Sequence, residues 1–350
     1  MKYWLFTVFF VVAMSAMVYF LISKERLSDM NDKRMIREMI VEDEKMIASN
    51  DSEICVYNSK QSGICLEFDG LMDANCFEVV EIPTKRIVKI QMDHLSYEEV
   101  KMKKFVGDFS SVSQVKIYES KDGVIAEFLL KSICETNVNY EEKANRVEIL
   151  FSEVDKKYDN IIVIDAGHGG KDAGIHSKLA SEKTVSLEIA KKVKEKLQKE
   201  GFYVLLTRSN DSNPSQIERV SLANDLGADM LISLHLAASK DERVNGVNIV
   251  YNDQYYIPQF SSSDLAICME VELRKNGGRT VNGLYPYLDH QLIVANAVVP
   301  AIEIDLGYLT NREEARKFSD LEYQKELAQD ISNGVINAYH KKQELRGNGT

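Results

Sequence analysis

The sequence predicts an α/β domain with a mostly parallel sheet covered by helices on both faces, preceded by an all-β, sandwich-like domain and an N-terminal transmembrane helix. Strand and helix patterns alternate after residue 160, several short strand-like runs precede residue 154, and residues 3–22 carry no formal charge. We therefore divide the chain into a membrane anchor (1–26), a helical stalk (27–52), a β-domain (53–155), an α/β domain (156–342) and a tail (343–350).

Composition limits the class of protein. The 350 residues are 45% hydrophobic and 28% charged, as in a folded protein, and their net charge of -11 argues against nucleic acid as a partner. The five cysteines include no CxxC pair, which argues against a thiolate metal site. The four cysteines before residue 150 could form two disulfides if the β-domain is extracellular. We favour the alternative that the cysteines are small, buried apolar residues.

The first element is the uncharged run Tyr3–Ile22, whose twenty residues suffice to cross a bilayer core of about 30 Å as a helix. A cleavable signal with a site near Ala13 or Ala16 is the alternative. Because the apolar run continues through Met17–Ile22, we favour an uncleaved anchor. The flanking Lys and Arg residues do not choose its orientation.

The second region contains short runs rich in branched and aromatic residues, separated by turns such as Asp69-Gly70 and Asp122-Gly123. This pattern is typical of a small β-sandwich. His94 has no carboxylate partner by spacing, so we expect no catalytic set here. The runs are 64–68, 77–82, 86–92, 115–118, 124–130 and 146–151.

In the third region, strand patterns alternate with helix patterns. We expect strands at 161–165, 202–206, 230–234, 247–251 and 301–306, and helices at 181–200, 263–275 and 320–341. Another helix is expected to begin at Asn213 as its cap, with Pro214 in the first turn and Gln216 completing a capping box.

Two histidines follow predicted strand ends, His168 after Asp165 and His235 after Leu234. If the strands are parallel neighbours, both imidazoles emerge at one edge of the sheet. With Glu182, at the start of the long helix, they form the ligand set of one open catalytic zinc site. His176 and His290 are weaker candidates, because both lie in loop-like sequence.

A metal hydrolase also needs a carboxylate that takes a proton from water. Glu303 and Asp305 are two apart on a predicted strand, so they point to the same face. Pairing with Lys or Arg is the structural alternative for these two acids.

Residues 160–342 closely resemble the amidase-3 family of zinc-dependent N-acetylmuramoyl-L-alanine amidases. The resemblance lies in Ile164–Gly174, Glu182-Lys183, Ser233–His235 and Gly307–Asn311, with shorter matches between them. It implies that His168, Glu182 and His235 bind Zn²⁺ and that the residue at 305 is the catalytic base. The family base is normally Glu, whereas this chain has Asp305. Ala237 and Ala295 likewise stand where Asn and Arg are common. The strand order of the β-domain resembles the AMIN domain, a non-catalytic targeting module.

The resemblance implies a peptidoglycan hydrolase that cuts the amide bond between N-acetylmuramic acid and L-alanine. Its domains would then lie on the extracytoplasmic side of the cell membrane, held by a single-pass anchor; secretion after signal cleavage is the alternative. A peptidoglycan-binding or regulatory protein of weakened activity and an amidase for another amide bond are rival hypotheses. The sequence leaves open any activator or any partner in division or sporulation.

Overall fold

The computed structural model describes residues 62–67, 76–98, 100, 105–141, 146–254, 257–275, 279–288 and 290–347. The expected membrane helix and stalk (1–52) lie outside these residues. No helix within the described ranges is both long enough and apolar enough to span a membrane.

The first region contains two four-stranded antiparallel sheets, with strand orders β4-β1-β8-β7 and β2-β3-β6-β5. Phe128 and Ile90 of one sheet share an apolar core with Phe151 and Ile149 of the other. Alternate residues are buried along β6, as expected where each sheet hides one face. The strands are β1 (Ser62–Glu67), β2 (Phe77–Ile82), β3 (Ile87–Asp93), β4 (Phe105–Gly107), β5 (Val112–Glu119), β6 (Gly123–Leu130), β7 (Cys134–Glu141) and β8 (Arg146–Glu153).

The second region is built on a six-stranded mixed sheet of order β10-β9-β11-β14-β12-β13. The first four strands in this order are parallel, whereas β12 and β13 run the opposite way. The predicted α/β class is therefore confirmed, with two strands reversed. The strands are β9 (Ile161–Ala166), β10 (Tyr203–Leu206), β11 (Met230–Ala237), β12 (Val247–Tyr251), β13 (Val281–Pro286) and β14 (Ala301–Tyr308).

Helices cover both faces of this sheet, and a separate apolar core lies between the sheet and the helices on each face. Helices α2, α4 and α7 cover one face, while α3 and α5 cover the other together with Ile133 and Val154 from the first region. The helices are α1 (Val154–Lys157), α2 (Glu182–Lys199), α3 (Gln216–Asp225), α4 (Ser262–Lys275), α5 (Leu292–Asn296), α6 (Arg312–Phe318) and α7 (Leu321–Gly347).

Several boundaries differ from the sequence prediction. The cap of α3 is Ser215, whose hydroxyl accepts the Glu218 N–H while the Glu218 side chain binds the Ser215 backbone. The expected box of Asn213 and Gln216 is therefore wrong by two residues, because Ser215 and Glu218 satisfy the same spacing. Strand β11 continues through His235 to Ala237, and α7 continues to Gly347 into the expected tail.

The face under α3 and α5 changes character along the strands. At the amino ends it presents Ile161, Val163, Leu231 and Ala301 to the helices. The same alternation then delivers Asp165, Ser233, His235, Glu303 and Asp305 at the carboxyl ends. Because α3 and α5 cover only the apolar half, a polar floor is left at this edge of the sheet.

Candidate active site

Three side chains meet at the polar edge of the sheet. His168 Nε2 lies 3.1 Å from Glu182 Oε2, and His235 Nδ1 lies 3.0 Å from Glu182 Oε1. The candidate ligand atoms of all three residues lie within 4.8 Å of one another. Strands β9 and β11 are parallel neighbours, as the prediction of a shared edge required. Two imidazoles and one carboxylate are a donor set that fits Zn²⁺ and leaves a position open for water.

Glu182 is the first residue of α2 and is almost wholly buried. Its two oxygens also accept the backbone N–H groups of Ile175 and Leu236, so the carboxylate is held in place. Burial by itself would raise the pKa of Glu182, but hydrogen bonds from His168 and His235 hold it well below its usual range. The carboxylate is therefore charged and ready to bind a cation.

The two imidazoles are held differently. His168 Nδ1 lies 2.8 Å from Asp172, which turns Nε2 toward Glu182. Such a carboxylate commonly fixes the orientation of a metal-binding histidine. Burial acts to lower the pKa of His235, but Glu182 and then Glu303 raise it to about 9. Without a cation, the carboxylates around His235 therefore favour its protonated form.

The turn that carries His168 rests on two buried arginines. His168 has a positive φ of 59°, an uncommon conformation for a residue with a Cβ. Arg219 donates to the carbonyls of Ala166 and His168 at 2.6 and 2.8 Å, and Arg208 donates to those of Ala166 and Gly167, both at 2.8 Å. These bonds satisfy backbone oxygens that the tight turn leaves without strand partners.

Asp165 provides the countercharge beneath this turn. It is fully buried, and it accepts hydrogen bonds from Thr207, Ser233 and Arg219, the last at 2.8 Å. Burial acts to raise the pKa of Asp165, but Arg219 and then His235 hold it below its usual range. The predicted strand end at Asp165 thus serves to anchor Arg219, which in turn holds the His168 turn.

Asp305 lies directly beside His235. The two are Cα partners on the parallel strands β14 and β11, so their side chains share one face of the sheet. Burial, and then the charge of Glu303, raise the pKa of Asp305 to about 6. Asn248 Nδ2 on β12 lies 3.4 Å from Asp305 Oδ2. Asp305 is therefore a candidate proton acceptor at this edge of the sheet.

Glu303 lies one alternation deeper on the same strand. Gln291, at the start of α5, donates to Glu303 Oε1 at 2.7 Å, and both side chains are nearly buried. The Gln291 Oε1 atom accepts the Leu288 N–H, which fixes the direction of the amide. Within the described ion pairs neither Glu303 nor Asp305 has a Lys or Arg partner, so that structural alternative is not supported there.

The other residues considered in the sequence do not belong to this cluster. Two of them are histidines outside the candidate metal site, and two are alanines without a polar side chain. His176 forms a backbone bridge with Ser181, and neither it nor His290 belongs to the group that could hold a metal. The methyl group of Ala237 is beside Tyr308 in the sheet register, and Ala295 lies within α5. Sequence reasoning missed Asp172, Asn248 and Gln291; only Asp172 stood in a recognisable motif, four residues after His168.

Comparisons with known proteins identify a family and several relatives of this chain. A family model described as N-acetylmuramoyl-L-alanine amidase matches residues 162–337. The chain is 32% identical over 178 residues to the amidase LytC of Bacillus subtilis, a match that covers 51% of this chain and 35% of LytC. It is 29% identical over 202 residues to the germination-specific amidase of the same species, covering 52% and 81% of the two chains.

A probable cell wall amidase of Staphylococcus aureus, LytH, is 30% identical over 179 residues, covering 50% of this chain and 56% of LytH. The chain thus spans about a third of LytC and just over half of LytH. Among solved structures, the catalytic domain of the amidase CwlV from Paenibacillus polymyxa var. colistinus is 30% identical over 52% of this chain and 98% of that one, with a TM-score of 0.48. An amidase from Clostridium difficile 630 is 31% identical, covering 52% and 97%, with the same TM-score of 0.48.

Proposed function

The chain belongs to the amidase-3 family of N-acetylmuramoyl-L-alanine amidases, and we propose that it hydrolyses the amide bond between N-acetylmuramic acid and L-alanine in peptidoglycan. The observation that carries this proposal is the cluster of His168, Glu182 and His235, with Asp305 beside it on the same face of the sheet.

His168, Glu182 and His235 would hold one zinc ion, through Nε2, the carboxylate and Nδ1 respectively. The chemistry that such an ion supplies is polarisation of the amide carbonyl and of the attacking water. The residues around it then decide where protons go and how the ligands are oriented.

Asp305 takes a proton from the attacking water as its oxygen bonds to the carbonyl carbon. The C–N bond then breaks, and Asp305 passes the proton to the departing nitrogen of L-alanine. The products are the carboxylate of the muramic acid lactyl group and the free amino group of the peptide. Glu303 is held by Gln291 at 2.7 Å and is therefore less free to swing toward water.

The test is clearing of purified cell walls by the zinc-loaded chain, with His168→Ala as the inactive control. We expect clearing by the native chain, loss of clearing with a chelator, and release of fragments with a new N-terminal alanine. Absence of any zinc-dependent clearing would overturn the enzyme assignment. New amino termini other than alanine would instead indicate an amidase for another bond.

A peptidoglycan-binding protein with weakened turnover is the second candidate. It is supported by Asp305, whose side chain is one methylene shorter than Glu, and by the apolar Ala237 and Ala295. A misplaced catalytic group can cost about a hundredfold in rate. Retained binding to walls with no released alanine termini would favour this candidate.

We further propose that residues 3–22 hold the protein in the cell membrane with its domains toward the wall, and that the β-domain is an AMIN-like targeting module. The uncharged run and the need to reach peptidoglycan support this placement. Protease treatment of intact cells and of the membrane fraction tests it. A soluble mature form that begins after Ala16 would support signal cleavage instead.

A further inference from the structure

Tyr308 is the last residue of β14, and the pairing of that strand is irregular just before it. Along β11 the step from His235 to Ala237 is two residues, whereas the matching step along β14, from Asp305 to Tyr308, is three. The strand therefore contains one extra residue, a β-bulge. Gly307 lies within it, with a φ of 150°.

The bulge changes the face on which Tyr308 lies. In regular alternation Tyr308 would follow Ile304 and Leu306 to the face covered by α2, α4 and α7. The extra residue shifts it to the face of Asp305 and His235. A Cβ on residue 307 would lie 2.9 Å from the Phe318 ring, so glycine is needed there for space as well as for φ.

Asn248 ties the Tyr308 hydroxyl to the site. Asn248 Nδ2 donates to the Tyr308 hydroxyl oxygen at 3.0 Å and lies 3.4 Å from Asp305 Oδ2. Asn248 Oδ1 in turn accepts from Asn282 Nδ2 at 3.2 Å. This second bond fixes the amide so that its N–H groups face the hydroxyl and the carboxylate.

The hydroxyl is thereby left with a proton to give. Because its oxygen already accepts from Asn248, its hydrogen must point to another group, and within the described part of the chain we find no side chain or carbonyl that accepts it. The neighbouring Ala237, its register partner on β11, has only a methyl group, which cannot accept the hydrogen. During attack by water, the carbonyl oxygen of the substrate gains negative charge. A hydroxyl next to Asp305 is placed to donate a hydrogen bond to that oxygen.

We propose that Tyr308 is a further catalytic residue, whose hydroxyl donates a hydrogen bond to the carbonyl oxygen of the scissile amide, and that Asn248 is the residue that positions it. The proposal rests on the amidase function proposed above. No proton is transferred: the hydrogen bond strengthens as the oxygen becomes negative and weakens again when the C–N bond breaks.

Tyr308→Phe tests the proposal, because it removes one oxygen and keeps the ring. Removing a single donor of this kind lowers kcat by up to about 100- to 1,000-fold. Because a polarising cation would share the charge, we expect a smaller fall in kcat on a soluble muropeptide, about 10- to 100-fold. KM should stay within about threefold of the native value. Zinc content should not change. Tyr203→Phe is the matched control, because Tyr203 stacks on Tyr158 at the amino end of β10.

A second measurement does not depend on turnover. A phosphinate mimics the tetrahedral carbon of the intermediate. Its affinity for Tyr308→Phe should fall by about the same factor as kcat, whereas the muropeptide product should bind the native chain and the variant equally well. Asn248→Ala should weaken phosphinate binding less in the Tyr308→Phe background than in the native chain, because the two residues act on one bond.

The outcomes separate the two proposals. If the native chain cleaves the amide and Tyr308→Phe keeps kcat and phosphinate affinity within twofold, Tyr308 is not catalytic and the amidase function stands. If the native chain does not cleave the amide, the proposed function fails first. Should Tyr308→Phe not fold, unchanged phosphinate binding by Asn248→Ala would equally overturn the proposal.

Discussion

Two carboxylates stand on one face of β14, and their surroundings give them different roles. Asp305 lies beside His235 and is held through one long contact with Asn248 at 3.4 Å. Glu303 lies deeper and is bound by Gln291 at 2.7 Å. The alternation of the strand predicts that both lie on one face, but only the three-dimensional arrangement distinguishes a loosely held carboxylate from an anchored one.

This difference predicts unequal effects of removing each charge. Asp305→Asn should lower kcat at least about a hundredfold, because no other described carboxylate beside His235 is as loosely held. Glu303→Gln should lower kcat less than about tenfold, since Gln at 303 still bonds Gln291 and mainly changes the local charge. Steady-state kinetics on a soluble muropeptide measure both. Equal losses in the two variants would contradict the assignment.

The pH profile provides the matching check. A base must be deprotonated to act, and burial together with Glu303 raises the pKa of Asp305 to about 6. Activity should therefore be full above the pKa of this base and fall about tenfold per pH unit below it, and the charge of a bound cation should place that pKa below the value of the metal-free site. In Glu303→Gln the loss of one negative charge should move this limb to lower pH. A limb that does not move would show that Glu303 has no influence on the base.

At the scale of elements, the turn after β9 depends on α3 for its shape. Arg219 of α3 bonds the carbonyls of Ala166 and His168 and the carboxylate of Asp165 at once. A planar guanidinium can make such divergent bonds, and a lysine ammonium cannot reproduce them.

Arg219→Lys should therefore loosen the turn while keeping the charge. We expect zinc affinity to fall about 10- to 100-fold, as is usual when the support of a metal ligand is lost. Competition with a calibrated chelator measures this affinity. Arg243→Lys is the control, because Arg243 is exposed and pairs with the nearby Asp241. Unchanged affinity in Arg219→Lys would show that the turn keeps its shape without the arginine.

Periodicity predicted the longer elements well, and local sequence could not predict the rest. The apolar spacing of α2 and the branched residues of β9 are strong signals, and both elements lie within one residue of the expected ends. Strand β7 was missed because its residues, such as Glu135, Asn137 and Asn139, are polar and it lies at the edge of its sheet. The bulge at Gly307 arises from pairing with a distant strand, and no local pattern marks it.

The candidate site shows the same division. The candidate ligand set followed from residue types at strand and helix ends, which the spacing of one chain can reveal. The supports Asn248 and Gln291 lie on other elements, 57 and 12 residues from the carboxylates that they contact. The role of Asn248 depends on how strands β12 and β14 pair, and that of Gln291 on where α5 lies beside β14, and only the fold provides both.

At the scale of the whole molecule, the two regions are joined by a shared apolar core. Ile133 and Val154 of the first region pack in one cluster with residues of β9, β10 and α3. The ion pair of Arg86 with Asp225, at 2.8 Å, is exposed and contributes at most about 1 kcal/mol. The apolar contact is therefore the main link between the two regions.

Ile133→Ala should reveal this link. The lost side chain leaves a cavity that costs about 2–4 kcal/mol, and we expect both regions to unfold together at a lower temperature. Calorimetry measures the transition, with Arg86→Ala as the control that shifts it little. Two separate transitions in the native chain would contradict a shared core.

The extra residue at Gly307 also bears on how this protein can change over generations. Substitutions at position 308 alter which group is presented to the cleft, but they leave its direction unchanged. Loss of a single codon between 305 and 308 would remove the bulge and leave the tyrosine two residues after Asp305, where plain alternation keeps it on the cleft side. An in-frame deletion is thus a mutational step by which a lineage could straighten this strand while keeping the tyrosine at the cleft.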